Sequence, residues 1–112
     1  MTQWIRVASC DHIPRREGRR ALVRGRNLAI FNLGDRFLAV ENRCPHQGGP
    51  LCDGIVTGVS VVCPLHAWKV NLETGMVERP CGDAAQHVQT YETAVEEGVV
   101  LVRIPPADEQ AA

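Results

Sequence analysis

Apolar residues along the 112-residue chain fall in short runs rather than at helical spacing. No stretch sustains the i, i+3, i+4, i+7 pattern that a helix needs to bury one face. The runs are rich in β-branched residues and are separated by tight-turn sequences, a pattern that predicts strands. Gln3–Ala8 alternates weakly, and Arg20–Val23 and Asn27–Leu33 flank a turn at Arg24-Gly25-Arg26. Leu33-Gly34-Asp35-Arg36 reads as a hairpin turn leading into Phe37–Glu41. Val59–Val62 and Trp68–Leu72 are further short strands, followed by Glu73-Thr74-Gly75, a turn whose glycine supplies a positive φ. Val88–Val95 and Val99–Ile104 are joined by Glu96-Glu97-Gly98. Many short strands on tight turns predict an all-β sandwich or a partly open barrel. The chain shows neither an internal repeat nor a linker.

Two stretches break this pattern. One is Asn42–Gly54, which contains Cys44-Pro45-His46-Gln47-Gly48-Gly49-Pro50; the other begins Cys63-Pro64-Leu65-His66. Loops rich in Gly and Pro can wrap a ligand closely and turn backbone N–H groups toward it. Cys44-x-His46 is followed after sixteen residues by Cys63-x-x-His66, which offers two thiolates and two imidazoles. These residue types admit three readings. They can be unrelated packed cysteines and surface histidines, a tetrahedral Cys₂His₂ zinc site, or a [2Fe–2S] centre in which two histidines replace two cysteines on one iron. The recurrence of Cys-Pro followed by His disfavours coincidence. Cys-x-His is short for a zinc finger, and no recognition helix follows.

Composition narrows the class. Hydrophobic residues make up 45% and charged residues 22%, which excludes a disordered chain. A net charge of −1 gives no overall drive toward nucleic acid. No apolar run approaches the ~20 residues of a membrane span. The start Met1–Arg6 lacks the pattern of a secretory signal, so a cytoplasmic location is expected. Residues 1–105 are expected to form a single domain, with 106–112 a flexible C-terminal tail. The five cysteines are odd in number, which together with a reducing compartment favours metal binding over a disulfide framework. Charge is uneven. Residues 1–26 carry seven arginines against Asp11 and Glu17, a balance of +5, and the rest is −6. This is either a solvated strand edge guarded by arginines or a docking patch for an acidic partner. No glycine-rich nucleotide loop, nucleophile elbow or nucleophile–base pair is present, so no catalytic substrate site is expected on this chain.

The two cysteine–histidine boxes resemble the cluster-binding boxes of Rieske proteins. The likeness runs on through Trp4, the Asp11-His12-Ile13-Pro14 turn and Phe31 ahead of Gly34-Asp35. His46-Gln47-Gly48-Gly49-Pro50-Leu51, Cys63-Pro64-Leu65-His66-Ala67-Trp68 and Leu72-Glu73-Thr74-Gly75 resemble the small subunits of assimilatory NAD(P)H-dependent nitrite reductases. Ferredoxins of ring-hydroxylating dioxygenases share the scaffold. The resemblance implies a Rieske-type antiparallel β-sandwich with two cluster-binding loops. It implies a [2Fe–2S] cluster with Cys44 and Cys63 on one iron, His46 and His66 on the other. It implies an electron-transfer subunit partnered by a large sirohaem- and flavin-containing nitrite reductase subunit that reduces nitrite to ammonium, with no nucleic-acid or membrane partner. The alternatives are a free Rieske ferredoxin serving an aromatic-ring dioxygenase and a non-redox structural or zinc-binding module.

Further expectations follow from the residues and from the resemblance. Gly49 and Leu65 stand where respiratory members carry a cross-loop disulfide, so Cys10, Cys52 and Cys81 are expected to be reduced, with Cys10 packed. Pro80-Cys81-Gly82 is expected to form a third loop over the cluster. His12 and His87 are expected at surface or turn positions, and Trp4 and Trp68 in packing. Ala67 and Trp68 after His66 offer no hydroxyl to the cluster sulfurs, which implies a potential low in the range of about −150 to +300 mV.

Overall fold

The computed structural model describes residues 3–43, 49–64, 68–79 and 87–104. The described residues form strands β1 (Gln3–Ser9), β2 (Gly18–Val23), β3 (Arg26–Asn32), β4 (Phe37–Glu41), β5 (Ile55–Thr57) and β6 (Ser60–Val62). They continue as β7 (Lys69–Asn71), β8 (Val77–Arg79), β9 (Thr90–Tyr91), β10 (Thr93–Glu96) and β11 (Val99–Ile104). Two 3-10 turns, Cys10–His12 and Leu51–Asp53, are the only helical segments among the described residues. None of the described segments is a helix long and apolar enough to cross a membrane. The all-β expectation holds, and every strand pairing among the described residues is antiparallel.

The strands make three sheets, ordered β1-β11-β10, β2-β3-β4-β9 and β5-β6-β7-β8. The second is central, and β3 shows why. Leu28, Ala29, Ile30 and Phe31 are all buried, because both faces of this sheet are covered. Successive side chains of a strand point to opposite faces. Leu28 and Ile30 therefore pack with Ile13, Val100, Val102 and Ile104 in one core. Ala29 and Phe31 pack with Leu51, Val61, Cys63, Val70 and Leu72 in the other. Double burial also explains why this strand reads as a continuous apolar run rather than an alternation.

Several details differ from the sequence reading. The Val88–Val95 run divides at Glu92. Tyr91 and Thr90 pair with Ala39 and Val40 of the central sheet, whereas Thr93–Glu96 pairs with β11. The Glu92 carbonyl accepts the Arg103 N–H at 2.9 Å, and the chain changes sheet there, as strands do at sandwich corners. β5 and β8 went unpredicted because β5 is a short segment between Gly54 and Gly58, directly after a stretch read as loop, and β8 holds a single apolar residue, Val77. Trp4, expected to pack, is 48% exposed on β1. The C-terminal tail lies outside the described residues.

Candidate metal centre

The second box grows out of a hairpin. β6 and β7 pair in register as Ser60 with Asn71, Val61 with Val70 and Val62 with Lys69. One step further on, the Cys63 N–H donates to the Trp68 carbonyl at 2.7 Å. Cys63 is thus held at the mouth of the hairpin loop, 2% exposed, as a member of the core beneath it. Trp68 packs against that same core, as expected.

The first box is closed at its base by Asn42, which is only 5% exposed. Its N–H donates to the Asn27 carbonyl at 2.9 Å. Its Nδ2 donates to Asn27 Oδ1 at 3.2 Å and to Cys52 Sγ at 3.3 Å, while its Oδ1 accepts the Cys52 N–H at 2.8 Å. Asn42 and Cys52, which flank the box two residues out on either side, are therefore clasped together. The chain then makes the Leu51–Asp53 turn and reaches Gly54, whose backbone lies against the Val62 carbonyl. A Cβ at this position would overlap that oxygen and crowd Val61 as well. Only glycine permits so close an approach.

The register brings the described ends of these loops together. Ile55, Val62, Lys69 and Arg79 form one row across β5, β6, β7 and β8. Gly54 at the exit of the first box, Cys63 and Trp68 at the two ends of the second, and the point where the chain leaves β8 all stand at that end of the sheet. The opposite end is closed by the predicted turn. Asn71 Oδ1 accepts the N–H groups of Glu73 and Thr74 at 2.8 and 3.1 Å. Gly75 there has φ +79° and lies against the Val88 carbonyl.

Of the four predicted ligands, the structure places Cys63. Cys44, His46 and His66 lie outside the described residues, as does Pro80-Cys81-Gly82. Among the described residues, no three His, Cys, Asp or Glu side chains converge on a metal position. His12 is exposed in the first 3-10 turn, and His87 is exposed opposite Met76, both as expected. Cys10 and Cys52 carry free thiols, both half-buried. Burial pushes the Cys52 thiol up, opposed by its Asn42 hydrogen bond; Asp53 adds to the rise and the Arg20 guanidinium offsets part of it. Cys52 is accordingly a protonated packing partner of Asn42 rather than a thiolate. The sequence reading missed Asn42 and Gly54. A polar residue directly after an apolar strand was the available signal for Asn42, but its partner across the box depends on the loop's shape.

Residues 3–92 match the Rieske [2Fe-2S] domain model. The ferredoxin component of the naphthalene 1,2-dioxygenase/salicylate 5-hydroxylase systems of Ralstonia sp. is 29% identical over 105 residues, 93% of this chain and 99% of that one. The ferredoxin subunit of 3-phenylpropionate/cinnamic acid dioxygenase from Shigella flexneri is 35% identical over 81 residues, 71% of this chain and 74% of that one. A crystal structure assigned as the NADH-dependent nitrite reductase small subunit of Mycobacterium tuberculosis superposes with a TM-score of 0.86 at 25% identity, covering 95% of this chain and 98% of that one. With two cysteine–histidine boxes in its sequence, the second beginning at buried Cys63, and a match over most of its length, the chain belongs to the Rieske [2Fe-2S] domain family, whose cofactor is a Rieske-type [2Fe–2S] cluster.

Proposed function

We propose that this chain is a one-electron carrier that holds its cluster through Cys44 and Cys63 on one iron and His46 and His66 on the other. We further propose that it serves as the small subunit of an NAD(P)H-dependent nitrite reductase. The observation that carries the ligand set is the row Ile55–Val62–Lys69–Arg79, which sets the exit of the first box beside Cys63. The donor set fits the group: two thiolates and two neutral imidazoles are what a Rieske cluster takes. When bound, the cluster supplies a reversible one-electron site whose imidazole ligands raise its potential above that of all-thiolate clusters. The chain's own part is positional. Buried Cys63 keeps its sulfur away from water, Asn42 closes the first box, and Gly54 lets the two boxes share one sheet end.

Full-length likeness to the mycobacterial small subunit supports the nitrite reductase reading. The dioxygenase ferredoxins, at up to 35% identity, support a second reading, a free carrier serving a ring-hydroxylating oxygenase. Both readings place the substrate site on another chain. Anaerobically purified protein should contain two irons and two sulfides per chain, and one zinc without iron would refute the cluster. The reduced protein should then be reoxidised by nitrite only when the sirohaem- and flavin-containing large subunit is present. Reoxidation by an oxygenase component with its aromatic substrate and O₂, and not by the large subunit, would transfer the assignment to the second reading.

A further inference from the structure

The arginines of the N-terminal segment play no part in holding a cluster, yet three of them meet in one place. Arg16, Arg19 and Arg20 line an open cleft of about 730 Å³ whose other wall includes Asn42, Cys52 and Gly54. The cleft thus lies between the start of β2 and the base of the first box. All three arginines are exposed. Arg19 is held by Glu17 at 3.0 Å, whereas Arg16 and Arg20 make no ion pair among the described residues. Asp53 is the other carboxylate in the lining. Exposed aliphatic residues follow the cleft residues along the backbone. Leu22, two positions along β2 from Arg20 and so on the same face, is 69% exposed, and Ile55, directly after Gly54, is 72% exposed. A strand edge guarded against aggregation needs charge alone. Unpaired arginines beside large exposed aliphatic side chains are instead the composition of a protein-binding patch.

We propose that this corner is where the redox partner docks, laying an acidic segment against Arg16 and Arg20 and apolar side chains against Leu22 and Ile55. The proposal rests on the electron-carrier reading and names the surface through which it works. Asn42, Cys52 and Gly54 in the lining flank the first box, so a partner seated there lies close to the end of β5–β8 marked by Ile55, Val62, Lys69 and Arg79. Charge complementarity at such a site acts chiefly on the association rate and weakens as salt screens it.

The test compares two double variants that change the net charge equally. Arg16→Glu/Arg20→Glu alters the cleft, and Arg6→Glu/Arg24→Glu alters arginines that line a different surface hollow. Association with the purified large subunit should be about tenfold slower for the cleft pair at low salt, with the difference collapsing at high salt. The control pair should associate nearly as fast as the parent, and unchanged iron content and visible spectrum would show all three proteins intact. A milder slowing is expected for Arg16→Gln/Arg20→Gln. Equal slowing by both charge-reversal pairs, or by neither, overturns the proposal. If the parent does not bind the large subunit, the nitrite reductase reading fails, and the same comparison is made against a ring-hydroxylating oxygenase component. A loss confined to the cleft pair there upholds the docking surface, and parent binding to neither protein overturns it.

Discussion

The core between the central sheet and β1-β11-β10 is built from buried aliphatic side chains, among them Leu28, Ile30, Val100 and Val102. The core on the opposite face includes Cys63 and lies under four strands of three residues each. β1 and β11, with seven and six residues, pair along most of their lengths. The first core is closed by apolar burial, which needs only chain pattern and turn chemistry. The second is closed by devices with no apolar equivalent: the Asn27–Asn42–Cys52 clasp, the backbone approach at Gly54, and buried Cys63, proposed above as a cluster ligand. Binding free energy at a metal site is also folding free energy for the segments it joins. The two halves should therefore respond differently to the same insult.

The sharpest way to expose that difference is Cys63→Ser. A serine hydroxyl cannot replace the thiolate and would bring an added polar group into a core position that is 2% exposed. We expect complete loss of the visible absorption of the cluster. Amide exchange should then accelerate severalfold or more across β5–β8 while β1, β3 and β11 keep most of their protection. Uniform acceleration through all three sheets would mean that the two halves unfold as one unit, and the comparison would collapse.

The converse insult is Leu28→Ala, in the aliphatic core. Leu28 is fully buried, and truncating such a side chain costs about 2–5 kcal/mol through lost transfer energy and the cavity left behind. The denaturant midpoint of the whole protein should fall accordingly. The cluster spectrum per folded molecule should not change, because Leu28 faces away from the core that contains Cys63. A shifted spectrum in the folded state would show strain passing through β3 from one face to the other.

The first half was the more legible in the sequence. Arg20–Val23, Asn27–Leu33, Phe37–Glu41 and Val99–Ile104 each carry enough apolar residues between turn signals to announce a strand, and all four appear. The second half announced its chemistry and concealed its architecture. Cys44, His46, Cys63 and His66 stood out as ligand types at a specific spacing, whereas β5 lay between two glycines directly after a stretch read as loop and β8 held only Val77 as an apolar residue. The Gly54 contact depends on where a loop meets a strand. Asn42 could be noticed as a polar residue ending an apolar strand, but nothing local says that its partner is Cys52, ten positions on. Ligand spacing survives in one dimension because chemistry fixes the residue types, and loop closure does not because it depends on shape.

The smallest expected effect sharpens the contrast within the second half, at the end of β5–β8 away from the boxes. The Glu78 carboxylate accepts hydrogen bonds from the buried Ser60 hydroxyl on β6 and from Asn71 Nδ2 on β7, the latter at 3.3 Å, joining three strands. The Ser60 hydrogen bond holds its pKa below the ordinary glutamate value of 4.5; burial opposes this, and Asn71 and the charge of Lys69 add to the lowering. A carboxyl group with a depressed folded-state pKa contributes stability that is fully present above the unfolded value and is lost as pH falls through the folded one. Glu78 is exposed, so solvent screening keeps the contribution small. Glu78→Gln removes the titration but keeps an oxygen to accept from Ser60. The parent should be slightly more stable than the variant above about pH 5, and the two should converge as pH drops toward about 3. Urea midpoints of both proteins measured across that window give the difference directly, since acid loss of the cluster is common to the pair. A constant offset at every pH would show that Glu78 acts through shape rather than charge, and this end of the sheet would then be closed by its Asn71 turn alone.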